Sequence, residues 1–512
     1  MSGFFPDPSI CRVGNKYYTV HSTFAYFPGV PIFESEDLVH WKLISNVLVR
    51  DSQIPLTGCQ HSEGIFAPTI RYHKGTWYMI TTNIPDHGNF IVTAKDPQGP
   101  WSEPYYLGET AGGIDPSLFF DDDDTCYYIG QRPRSTGYRY NGDCEVWIQT
   151  LDLQTMQLKQ DATIVLTGFQ RKAVWPEGPH LYKKDGYYYI LHAEGGTSIH
   201  HSVMVARSKN VFGPYEYCPS NPILTHRHLG AKYPITCVGH ADLVDDGNGN
   251  WYMVVLACRP NDGCTLLGRE TFLAKVTWED GWPVVNAGVG HLEEQVMLTD
   301  VEQPDAYEPD CRTYMFDTSS LPPELLTLRN HRDHVLQLNA KEHYVRLFHR
   351  RDTLKDCGEP AYLALRQQNW NCELETSFTP NFHQKNECAG IAMVQNHANH
   401  LRVECHPQDT GVELVVLLCE DGKDVCLTRI DILPTTSIKL KLHVEGLTAS
   451  VFYQTNIEWQ LAATDIDLRS LSTEHAGGFV GCTLGLYASG NGEDAGGYSD
   501  FETLTYRELP TK

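Results

Sequence analysis

The sequence predicts an all-β protein in two domains: an N-terminal five-bladed β-propeller over residues 1–300 and a C-terminal β-sandwich over 326–512, joined by a linker at 301–325. Three observations predict it. A grammar of paired aromatics recurs five times, it stops near Asn286, and strict apolar/polar alternation takes over beyond Pro322-Pro323. A chain of 512 residues also exceeds what one compact core usually holds.

The repeat begins with Pro8-Ser9-Ile10, followed by Gly14 and Tyr17-Tyr18; Pro68-Thr69-Ile70 leads in the same way to Gly75 and Trp77-Tyr78. Pro116-Ser117-Leu118 leads to Tyr127-Tyr128, Pro179-His180-Leu181 to Tyr188-Tyr189, and Ala241-Asp242-Leu243 to Trp251-Tyr252. The steps between units are 60, 48, 63 and 62 residues. Each unit reads as a short apolar strand, a turn with Gly, Asn or Asp, and a second strand with paired aromatics, with further strands after it. About four strands per unit, five times over, make a propeller, because radial repetition leaves only short sheet edges. An array of β-sandwiches is the structural alternative, but it gives no reason for one aromatic grammar to recur.

In a propeller the first strand of each blade lines the central channel, so equivalent positions converge there. The residue just before the Pro or Ala is Asp7 in unit one, Ala67 in unit two, Asp115 in unit three and His240 in unit five; Glu177 lies two before Pro179 in unit four. Three carboxylates and a histidine are thus expected around one end of the channel, with Ile65-Phe66 as an apolar wall. An Asp before Pro is also a common turn residue that bonds nearby backbone. Three acids at one repeat position are harder to explain so, and a pair of carboxylates, one protonated and one ionised, is what cleavage of a glycosidic bond requires. The apolar flank Trp175-Pro176 before Glu177 is expected to raise its pKa, as an acid needs.

Other features rank lower. Asp121 to Asp124 falls between two strands and reads as a solvated hairpin tip; His192 and His200-His201 lack metal-ligand spacing, and Cys258 to Cys264 is a weak metal signal. There is no phosphate-binding glycine loop and no elbow for a nucleophilic serine. With 40 basic against 64 acidic residues the net charge is −24, which argues against nucleic acid and anionic membranes as partners. Neither a signal peptide nor an apolar run of about 18 residues is evident, so a cytoplasmic location is expected. The sixteen cysteines are dispersed without a CxxC pair and read as reduced, mostly buried thiols.

At these residues the chain resembles glycoside hydrolase family 43, in particular its β-xylosidase and α-L-arabinofuranosidase branch with an added β-sandwich. The segments that carry the resemblance are Phe4-Phe5-Pro6-Asp7-Pro8-Ser9-Ile10, Tyr26-Phe27-Pro28-Gly29, Gly113-Ile114-Asp115-Pro116, Trp175-Pro176-Glu177-Gly178-Pro179, Glu194-Gly195-Gly196-Thr197, Gly239-His240-Ala241-Asp242 and Leu267-Gly268-Arg269-Glu270-Thr271-Phe272. The resemblance implies an inverting mechanism with Asp7 as general base, Glu177 as general acid and Asp115 as the carboxylate that orients the acid and tunes its pKa. Inversion needs a water between base and sugar, so the two main carboxyls are expected about 6.5 to 9.5 Å apart. Phe24, Thr197 and Arg269 resemble the family's sugar-contacting residues. His240 resembles its central histidine, which in some members helps hold a calcium ion in the channel; no cofactor is otherwise required. Phe66 stands where many relatives carry Trp, and the loop Thr197-Ser198-Ile199-His200-His201 lacks an expected glycine.

In the second domain Ile438, Leu440, Leu442 and Val444 alternate with Lys439, Lys441 and His443, and Tyr362 to Leu365 and Val412 to Leu418 read as further strands. The resemblance implies a concanavalin-like jelly roll here. Gly477-Gly478-Phe479-Val480-Gly481 presents one aromatic on a flexible loop, and Phe479 is expected to reach the mouth of the site and limit it to terminal sugars. The expected partner is a xylo- or arabino-oligosaccharide, with a homo-oligomer left open. The competing readings are a carbohydrate-binding propeller without turnover and a retaining fructosyl hydrolase on a similar frame.

Overall fold

The computed structural model describes residues 1–84, 86–298, 309–329, 332–433, 437–454 and 457–510. Five antiparallel sheets follow one another along the first domain. Blade one is Ser9–Val13, Lys16–Val20, Gly29–Ser35 and Lys42–Leu48. Blade three is Ile114–Phe120, Cys126–Pro133, Cys144–Asp152 and Gln157–Thr167; blade four is Glu177–Lys184, Tyr187–Glu194, Ser202–Ser208 and Glu216–Tyr217. Blade five is Thr236–Asp245, Trp251–Cys258, Glu270–Glu279 and Trp282–Val285. In blade two the inner strand is split into Gly64–Ile65 and Thr69–His73, both paired with Thr76–Ile84, before Gly88–Ala94 and Tyr105–Tyr106. The sequence-expected five-bladed propeller is what the chain forms.

The aromatic pairs recur because they join neighbouring blades. Tyr18 meets Trp77 edge-on at 4.6 Å, Tyr78 meets Phe120 at 5.2 Å, and Tyr189 meets Trp278 at 5.0 Å. Blade five closes on blade one through a cluster of Ile10, Tyr17, Val244 and Val254. No strand is exchanged at this closure among the described residues.

Below the mouth of the channel a polar ring stitches the blades together. The residue after the repeat Pro or Ala is polar in all five units, as Ser9, Thr69, Ser117, His180 and Asp242, and all five are buried. Ser9 Oγ donates to Asp242 at 2.8 Å, Ser117 Oγ lies 2.9 Å from His180 Nδ1, and Thr69 Oγ donates to the Pro116 carbonyl at 2.9 Å. The guanidinium of Arg71 crosses the channel to Ser9, His180 and Asp242, and the Tyr182 hydroxyl donates to Asp242.

The second domain packs two sheets around one apolar core. One sheet centres on Asn371–Asn381, Ile438–Glu445 and Tyr498–Glu508; the other runs through Ala361–Arg366, Thr483–Ser489, Cys388–Val394, His400–Pro407 and Val412–Glu420. The alternation read in 438–445 is real, with the four aliphatic residues fully buried. Residues 301–308 of the expected linker lie outside the described residues. Cys311–Tyr314, inside that stretch, already pairs with Tyr498–Glu508. With one buried residue in four, this strand carries too little pattern to be read from sequence.

The central strands of the second sheet are buried on both faces. Tyr26–Phe27 leaves blade one and pairs with Leu326–Leu328 at the edge of that sheet, and Phe4, Phe24 and Tyr26 pack with Leu326, Tyr362 and Tyr487. Arg329 is fully buried there, donating to the Cys59 carbonyl at 2.7 Å and the Gly358 carbonyl at 3.0 Å. All sixteen cysteines are free and ten are buried. Among the described residues no helix is long and apolar enough to cross a membrane.

Candidate active site

The residue before the repeat Pro or Ala has a left-handed backbone in four blades: Asp7 (φ 53°), Asp115 (φ 54°), Gly178 (φ 58°) and His240 (φ 52°). In blades three, four and five the inner strand shifts register at this point. Such a bulge re-aims a side chain, here from the face of the sheet into the channel mouth. Asp and His tolerate this conformation better than most residues. Blade four puts Gly at the bulge because a Cβ there would meet the His240 ring at 2.9 Å, and the acid moves one residue back to Glu177.

The three predicted carboxylates come together. Asp7 is buried, its Oδ2 accepting from Ser22 Oγ at 2.7 Å and its two oxygens gripped by Arg269 at 2.9 and 3.2 Å; His240 Nδ1 lies 3.8 Å from Oδ1. Burial alone would raise its pKa, but Arg269, His240 and the Ser22 bond outweigh this and hold it below the usual carboxylate range. Asp115 accepts the Gly178 N–H at 3.0 Å, which ties it to the backbone next to Glu177. Its pKa is pushed up to about 6, by burial first and by Asp7, against the pull of His240. Glu177 is half-buried, and burial together with the charges of Asp115 and Asp7 drives its pKa well above the ordinary value. Trp175, expected to shield it, is instead 40% exposed and rests on Gly142 and Gly196.

The residues expected to contact sugar surround this cluster. Arg269 donates to Thr197 Oγ1 at 3.3 Å and to the Phe479 carbonyl at 3.2 Å, with its guanidinium over the Phe479 and Phe24 rings at 5.2 and 5.5 Å. Phe24, Phe66 and Phe479 form an aromatic triangle with centroids 5.5 to 6.1 Å apart. Phe479 reaches the propeller from the second domain, fixed by its N–H to Ser62 Oγ at 2.8 Å. Behind it, Gly481 packs so closely on Leu267-Gly268 that a Cβ would meet the Leu267 carbonyl at 2.4 Å.

The channel calcium that the resemblance leaves possible at His240 would meet a poor ligand set. Its nearest carboxylate, Asp7, is already paired with Arg269, and the channel below is crossed by the Arg71 cation. Sequence reasoning missed Ser22, which has no repeat signature, and the polar ring, whose signal was present as five polar residues at one repeat position.

A propeller whose mouth gathers one carboxyl of lowered pKa and one of raised pKa beside an aromatic wall suits the cleavage of a glycosidic bond. Comparison with known proteins agrees. Residues 1–283 match the model of Glycosyl hydrolases family 43, and residues 313–507 match the Beta xylosidase C-terminal Concanavalin A-like domain. The chain is 49% identical to a xylosidase/arabinosidase of Butyrivibrio fibrisolvens over 99% of this chain and 98% of that one. It is 36% identical to a non-reducing end alpha-L-arabinofuranosidase of Bacteroides ovatus over 99% of this chain and 94% of that one. The solved structure of a xylan beta-1,4-xylosidase from Bacillus halodurans superposes with a TM-score of 0.90 at 33% identity, covering 99% of both chains. The chain therefore belongs to glycosyl hydrolase family 43 and is a glycoside hydrolase with a concanavalin-like second domain.

Proposed function

We propose that the protein is an inverting, exo-acting enzyme that releases terminal xylose or arabinose from xylo- or arabino-oligosaccharides. The observation that carries this reading is the opposite displacement of two carboxyls in one cluster, Asp7 downward and Glu177 upward. Asp7, kept ionised by Arg269, takes a proton from the water that attacks the anomeric carbon. Glu177, kept protonated, gives its proton to the glycosidic oxygen as the bond breaks. Asp115 acts through the Gly178 N–H and through its charge, holding the acid in place and its proton on.

Phe24, Phe66 and Phe479 offer an apolar wall for one terminal pentose, and the reach of Phe479 across the mouth supports exo action. The names of the relatives support the pentose class. The test is hydrolysis of the 4-nitrophenyl derivatives of β-D-xylose and α-L-arabinose, with proton NMR of the first-formed sugar. A product of inverted configuration is expected. Retained configuration would sink the mechanism, and absence of turnover on both glycosides would overturn the pentose reading.

A further inference from the structure

Two loops of blade four supply residues to the site, 169–176 leading into Glu177 and 195–201 carrying Thr197. They are joined by the Gly195 N–H to the Val174 carbonyl at 2.9 Å. They also line a cleft of about 570 Å³, with Lys172, Trp175, Ser198, His200 and Arg227 among its residues. Trp175 forms part of this lining. It is a bulky residue held at φ 47°, a conformation that is costly for such a side chain, and 40% exposed. Gly196 is required beneath it, since a Cβ there would meet the indole at 2.7 Å. The indole rests on Gly142 and Gly196 with one face and leaves 40% of the residue to solvent, two residues from Glu177.

The charge of the cleft is equally unusual. Its one carboxylate, Glu194, is taken by Arg171 and His192. Among the described residues Lys172 and Arg227 have no carboxylate partner, in a chain of net charge −24. A flat aromatic beside two unpaired cations suits a sugar ring that carries a carboxylate.

We propose that this cleft binds a uronic-acid residue borne by the leaving side of the oligosaccharide, its ring against Trp175 and its carboxylate between Lys172 and Arg227. This rests on the glycosidase reading of the adjacent site, because Glu177 protonates the oxygen that joins the released sugar to that leaving side. The enzyme then favours acidic, branched substrates over neutral ones.

The test compares kcat/KM for a neutral xylotriose and for the same trisaccharide carrying glucuronic acid on its middle residue, in the full-length protein and in the Lys172→Ser/Arg227→Ser double variant. The ratio of acidic to neutral substrate is expected to fall about tenfold in the variant and to fall with added salt in the unaltered protein, while the 4-nitrophenyl glycosides are cleaved as before. An unchanged ratio, or an equal loss on the neutral trisaccharide, overturns the proposal. If the unaltered protein cleaves none of these substrates, the pentoside reading fails instead, and calorimetry decides the cleft: acid-selective binding lost in the double variant upholds it, and equal binding of both trisaccharides removes it.

Discussion

At the scale of single residues, the site works by giving two like groups unlike surroundings. Asp7 has a guanidinium, a hydroxyl and an imidazole about it; Glu177 has two carboxylates and little water. Replacing Asp7 by Ala is expected to lower kcat by about 10³-fold or more while sugar binding persists, measured by steady-state kinetics and calorimetry. Glu177→Ala separates the substrates: a 4-nitrophenyl leaving group needs little protonation, so the loss on it should be far smaller than on xylobiose. Equal losses would mean that Glu177 is not the acid. The pH dependence follows from the same shifts. Activity rises as Asp7 ionises, below its ordinary 3.8, and falls as Glu177 deprotonates, above its ordinary 4.5. Asp115→Asn removes a negative charge that holds the proton on Glu177, so the alkaline limb of the kcat/KM profile should move to lower pH. The substitution also affects stability. Asp115 is at about 6 in the fold against 3.8 ordinarily, so the fold favours its protonated form and loses that stability as pH rises through about 6. Asp115→Asn should therefore raise the melting temperature at pH 7 and do so much less at pH 4.

At the scale of elements, the left-handed residue at the head of four inner strands, with a bulge in blades three, four and five, is the device that makes the site. In a regular strand the side chains of Asp7, Asp115 and His240 would project from the faces of their sheets; the left-handed residue turns each into the channel mouth. Gly178 is the position where this device is most constrained, since it needs a positive φ and also lies flat on the His240 ring. Gly178→Ala is expected to destabilise the protein by about 1–3 kcal/mol and to lower kcat together with stability, because its N–H is the bond that fixes Asp115. Unfolding by denaturant and kinetics on the same preparation check this. The equivalence of the acids was legible because the repeat aligned them. The displacement of the acid by one residue in blade four was visible too, but its reason was not: the ring that excludes a side chain at Gly178 comes from another blade.

At the scale of the whole molecule, the second domain lends one ring to the aromatic triangle beside the carboxylates. Its loop brings Phe479 against Phe24 and Phe66, and a strand of blade one joins its sheet edge. Phe479→Ala should raise KM for short substrates with little change in fold, as read by kinetics beside a circular dichroism spectrum. Unchanged kinetics would reduce the loop to a structural contact.

The sequence by itself determined the five blades, the sandwich and the meeting of three carboxylates at one repeat position, because period-two burial and the aromatic pairs between blades leave a periodic trace along the chain. Ser22 on Asp7, Arg71 across the channel and the exposed face of Trp175 were decided only by the tertiary structure. Each depends on a partner far away in the chain or on a local backbone angle, and a single contact of that kind leaves no period to read.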